Sequence, residues 1–74
     1  MKVKIDPFTA AFVKDPSGGY VAYLVEMEGI NTQGETLEEA QENLLDAFKG
    51  MIEIKRAEAQ KLKNTTFQTL NFAA

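Results

Sequence analysis

In the segment Gln33-Gly34-Glu35-Thr36-Leu37-Glu38-Glu39-Ala40-Gln41-Glu42-Asn43-Leu44-Leu45-Asp46-Ala47, a turn passes into a helix. Gly34 suits the backbone of a tight turn. Thr36 is a good N-cap, and Glu39 stands three residues later, which makes a capping box: the threonine oxygen accepts one orphan N–H and the glutamate reaches back to another. Leu37, Ala40, Leu44, Ala47, Phe48 and Met51 recur at helical spacing and draw one apolar stripe. Glu35, Glu38, Glu39 and Glu42 crowd the first turns, where the macrodipole favours negative charge. Lys61 and Lys63 stand near the other end. The remainder of the chain reads as a sheet for that stripe to cover.

Upstream, Tyr20 to Glu26 is rich in aromatic and β-branched residues and makes the strongest strand. Phe8 to Lys14 is a second strand, and Asp15-Pro16-Ser17-Gly18-Gly19 between them is a dense cluster of turn formers, so the pair reads as a β-hairpin. Met1 to Asp6 alternates weakly before Pro7 and reads as an edge strand or ordered arm. Gly29 breaks the run after Glu28, leaving Ile30 to Gln33 as a short third strand.

Downstream, a helix from Thr36 to about Leu62 is roughly 40 Å long at 1.5 Å per residue. A seven-residue strand spans only about 23 Å. Such a helix overhangs its sheet. Gly50 marks a bend or a close contact within it, and Glu53/Arg56 and Glu58/Lys61 are spaced for surface pairing. Asn64 and Thr65 form the stop, and Thr66 to Phe72 reads as a last strand. The expected class is α+β: one small domain over residues 1–74, an antiparallel-rich sheet with one long helix.

Tyr20 to Glu26 is apolar on both faces, with Val21, Tyr23 and Val25 on one and Tyr20, Ala22 and Leu24 on the other. A strand wetted on one side alternates more cleanly. One face meets the helix, and the other has no second layer of its own, which points to a protein partner. Met27, beside Gly29, is either an exposed contact or a gap filler.

The chain has 74 residues, no cysteine, no histidine and a formal charge of −3. So small a domain has a marginal core, and oligomerisation is the expected supplement. Absence of cysteine removes disulfides and suits a reducing cytoplasm. Absence of both residues removes the usual zinc ligands, the commonest general base and the strongest nucleophile. Asp6, Glu26, Glu28 and Asp46 are the carboxylates with a chance of sharing a site, but turn and surface roles account for each. No cofactor, no metal and no catalytic residue is expected. The N-terminus is no signal peptide, and no apolar run approaches bilayer length. The negative charge argues against direct nucleic-acid binding and suits a basic protein partner.

The ordered pieces Phe8-Thr9-Ala10-Ala11-Phe12, Gly18-Gly19-Tyr20-Val21-Ala22-Tyr23, Glu28-Gly29, Thr32 to Ala40 and Glu42-Asn43 together resemble the HicB antitoxin family, whose domain is of UPF0150 type. The resemblance implies a β-β-β-α-β domain, a truncated relative of the ribonuclease H fold without its catalytic carboxylates. It also implies binding and inhibition of a small basic HicA-type toxin that cleaves RNA. The family's proline-rich run between strands two and three has no counterpart in Val25 to Gly29. With Ala74 following soon after the expected last strand, this is a short form in which no DNA-binding tail is expected. The candidate partner-binding residues are Tyr23, Glu26, Met27, Glu28, Gly29 and Gln33. The first rival is a stand-alone homo-oligomer of the same fold with no toxin, and the second a carboxylate-dependent nuclease.

Overall fold

A computed structural model describes residues 3–5, 8–68 and 70. Four strands, β1 (Val3–Ile5), β2 (Phe8–Lys14), β3 (Tyr20–Leu24) and β4 (Met27–Gly34), precede a single helix, α1 (Leu37–Ala59). The strands form one antiparallel sheet in the order β1-β2-β3-β4. The class is α+β, as the residue patterns indicate.

Register sorts the side chains onto two faces. Ala10 pairs with Leu24, Phe12 with Ala22, Ala22 with Thr32 and Tyr20 with Gly34, so these residues share the face that α1 covers. The core on that face is Ala10, Ala22, Leu24, Ile30, Ala40 and Leu44, with Phe8, Phe12, Tyr20, Met27, Ala47, Phe48 and Met51 packed around it. Three of the six core residues are alanine, which lets helix and sheet approach closely. Phe8 and Phe48 meet edge to face, centroids 5.5 Å apart at 62°, and close one side of the core.

The β2–β3 turn is held by Asp15. Its Oδ1 accepts from the Ser17 N–H at 2.8 Å and from the Ser17 hydroxyl at 2.6 Å. The Ser17 hydroxyl, then its backbone N–H, holds the Asp15 carboxyl below the usual aspartate range. Gly18 and Gly19, at φ 108° and 78°, occupy the left-handed region that the turn requires.

Thr36 caps α1, its Oγ1 accepting from the Glu39 N–H at 3.1 Å. The Glu39 carboxylate reaches back not to Thr36 but one residue further, accepting from the Glu35 N–H at 3.2 Å. Gly34 has a different purpose from the one its turn context suggests. Its φ is not positive; instead a Cβ there would lie 2.5 Å from the Ala40 nitrogen. A Cβ on Gly19 would in turn lie 2.8 Å from the Gly34 carbonyl oxygen. Hairpin, β4 and helix start therefore stack backbone on backbone.

Further expectations change. The second hairpin strand stops at Leu24, because Val25 and Glu26 form a two-residue turn between Leu24 and Met27, which are paired. Gly29 does not break a run: at φ 93° it lies inside β4, where the β3–β4 register shifts, so the short strand Ile30 to Gln33 is the inner part of an eight-residue one. The helix ends at Ala59 rather than Leu62. Gln60 caps it, and Lys61 and Leu62 donate to Glu58 and Ala59 three residues back, a tightened last turn that takes Lys61 out of α1. Asn64, at φ 55°, then turns the chain away. Finally, residues 66–68 and 70 form no strand; 69, 71 and 72 lie outside the described residues, as do Met1, Lys2, Asp6 and Pro7. Among the described residues the order is β-β-β-β-α, not β-β-β-α-β, with Val3–Ile5 the expected edge strand. Nothing lies within 4 Å of a Cβ built on Gly50, which therefore marks no close contact, and α1 runs on through it.

Candidate interaction site

The face of the sheet opposite α1 carries Ala11, Val13, Val21 and Tyr23, brought side by side by the pairs Ala11–Tyr23 and Val13–Val21. Val13 is 51% exposed and Val25, in the adjoining turn, 57%. No described element covers them. Tyr20 and Tyr23 point to opposite faces, as alternation requires: Tyr20 packs against the core and Tyr23 lies partly exposed on the other side.

At the β3–β4 end, Tyr23, Val25, Met27, Glu28 and Gly29 surround an open hollow of about 280 Å³. Four of the six candidate residues meet there. Met27 is half-buried and packs against the core, so it is both gap filler and wall of the hollow. Gly29 turns the strand at a conformation a side chain resists, and Glu28 is exposed beside it.

Glu26 is engaged otherwise. Val25 donates its N–H to the Thr9 carbonyl at 2.9 Å, as a further rung of the β2–β3 ladder. The returning rung is supplied by a side chain: the Thr9 N–H donates to Glu26 Oε1 at 2.6 Å. That backbone hydrogen bond holds the Glu26 carboxyl below the usual glutamate range. A depressed folded-state value stabilises the turn above the ordinary glutamate pKa, and the contribution is lost as pH falls through the lowered value.

Gln33 does not join this group. It lies at the opposite end of β4, where its carbonyl accepts from Asn43 Nδ2 of α1 at 2.8 Å. There it borders a second hollow of about 340 Å³ with Asp15, Tyr20, Glu35 and Glu39. That hollow, and Val13 on the strand next to Val21, escaped the sequence reading. Val13 is recoverable from the alternation of Phe8 to Lys14 once the hairpin register is known.

Of the carboxylates considered for shared chemistry, Glu26 and Glu28 flank one strand end, Asp46 lies on α1 and Asp6 is outside the described residues. Among the described residues no three acidic side chains converge as metal ligands would. Nor is any described helix long and apolar enough to cross a membrane.

No protein-family model matches the chain. No solved structure matches it either. A curated relative, UPF0150 protein ssr1765 of Synechocystis sp., is 38% identical over 53 residues, covering 72% of this chain and 67% of the relative. With that identity over that share of both chains, this protein belongs to the UPF0150 family.

Proposed function

We propose that this chain is a non-enzymatic binding module of HicB antitoxin type, acting in the cytoplasm, which holds a small basic HicA-type RNA-cleaving protein and occludes its active site. The observation that carries the reading is the uncovered face of the sheet. Tyr23, 37% exposed, and Val25, 57% exposed, lie next to Met27, Glu28 and Gly29, an apolar patch with a carboxylate at its edge. Aromatic and aliphatic anchors rimmed by charge suit a protein partner. UPF0150 membership and the ordered HicB resemblance agree with it. Inhibition by occlusion fits a chain with no histidine or cysteine.

Co-expression with the protein encoded by the adjacent reading frame, followed by purification and an RNA-cleavage assay, tests this. A stable complex with suppressed cleavage is the expected result. Absence of a complex, with cleavage unaffected by excess of this protein, rejects it.

A second reading, a stand-alone homo-oligomer, draws on the same uncovered face together with Ile54, Leu62 and Phe67, each about 60% exposed beyond the sheet. Light scattering across micromolar concentrations separates the two: a dimer or larger species with no bound neighbour favours the oligomer, and a monomer mass removes it.

A further inference from the structure

The two edges of the sheet are built differently. β1 is only three residues long, and so short an edge discourages a further strand. β4 is eight residues long, contains no proline or lysine, and has one charge, Glu28. Its outward groups follow from the ladder. Thr9 accepts from Val25 at the β2 side, so odd-numbered β3 residues bond toward β2 and even-numbered ones toward β4. The pairs Tyr20–Gly34 and Ala22–Thr32 are then the bonded ones. The N–H and C=O of Asn31 and the N–H of Gln33 face away from the sheet. α1 packs on β4 from one face, and among the described residues the one side-chain hydrogen bond to these outward groups comes from Asn43, which occupies the Gln33 carbonyl alone. Glu28, Gly29, Asn31 and Gln33 are all exposed.

Charge says what fits. All eight Lys and Arg lie within residues 1–14 and 49–63, and eight of the eleven carboxylates fall between Asp15 and Phe48, with no basic residue among them. β3, β4 and the first turns of α1 are thus wholly acidic in their charges. Glu28 stands on β4 itself, and Glu35 directly follows it. A second copy would set one acidic edge against another.

We infer that the β4 edge accepts an extended, lysine- or arginine-bearing segment of a partner protein as a fifth strand. The backbone of Asn31 and Gln33 makes the ladder bonds, and the flanking carboxylates select for basic side chains. The inference rests on the basic-partner reading above and specifies how that partner is engaged.

The probe is an eight-residue peptide alternating lysine and valine, compared with its glutamate–valine counterpart and with a copy N-methylated at alternate residues. The full-length protein is followed by NMR-detected amide exchange. The lysine peptide slows exchange at Asn31 and Gln33 and binds at least about tenfold more tightly than the glutamate peptide at low salt. N-methylation abolishes binding. Asn31→Pro, at a position whose N–H faces outward, leaves the melting temperature unchanged and removes binding; should that variant melt lower, the N-methylated peptide decides, since it leaves the protein untouched. Unaltered exchange at Asn31 and Gln33, equal binding of both charge types, or undiminished binding of the N-methylated peptide overturns the inference. A complex with the neighbouring protein that survives Asn31→Pro overturns the edge and leaves the antitoxin reading standing. A bound lysine peptide with no complex to the neighbour does the reverse.

Discussion

Between Leu37 and Met51, α1 buries Ala40 and Leu44 completely and lays Ala47, Phe48 and Met51 on the sheet. From Ile52 to Ala59 the same helix buries no residue fully, and Ile54 is 60% exposed. At about 34 Å for 23 residues, α1 is simply longer than the strands it lies on. The first half is helical because packing demands it. The second must stand on local terms, with good helix formers such as Glu, Lys, Arg and Ala, Arg56 near the negative end of the dipole, and the Gln60 cap. One helix thus has two sources of stability.

The largest effect expected from that contrast is Leu44→Ala, which removes the largest fully buried side chain. It should cost about 2–5 kcal/mol by chemical denaturation, a large part of what so small a domain has. Ile54→Ala, ten residues on, should stay within about 0.5 kcal/mol; equal losses at the two sites would dissolve the distinction. Next comes Gly34→Ala. The added Cβ meets backbone at 2.5 Å, with no flexible side chain to yield, so the helix start must shift. A loss of roughly 1–3 kcal/mol is expected, and an unchanged melting temperature would mean that helix and β4 do not touch there.

Thr36→Ala removes the cap oxygen and should cost on the order of 1 kcal/mol. Circular dichroism at intermediate denaturant sharpens the comparison, since the loss should appear with global unfolding if the first half is locked to the sheet. Gly50→Ala has the opposite sign. It sits at the boundary between the halves with open space around it, and relieving a helical glycine should stabilise by about 0.5–1 kcal/mol. A destabilised Gly50→Ala would show that the second half is packed after all.

What could be read from residues alone was what local chemistry dictates. The Thr36 cap, the stripe from Leu37 to Met51 and the Asp15–Gly19 turn each carry their own signal. What escaped depended on partners distant in sequence. Val25 looks like strand because it is β-branched, yet the turn at Val25–Glu26 forms because Thr9 supplies one rung and Glu26 returns the other. Gly29 looks like a breaker, and only the shifted register turns it into a bulge inside β4. Gly34 was expected to serve a turn, and Ala40 is the real reason for its bare Cα. Among the candidate residues, Tyr23, Met27, Glu28 and Gly29 come together because they flank one strand connection. Gln33 is separated from them by the length of β4, a distance that was hidden while that strand was read as only four residues.

The sheet order repeats the order of the sequence, each strand paired with the one before it. A chain leaving the ribosome would therefore find the mate of every new strand already in place, with only short loops to close. Sequence-local pairing of this kind places a fold among the faster mixed α/β domains. In the last step α1 settles over β3 and β4, and that step waits for Leu44, Ala47 and Phe48 to emerge. Until then the apolar side of the meander lies open, so the interval between completion of β4 and synthesis of the first helical turns is when a nascent chain of this protein most needs shelter from its neighbours.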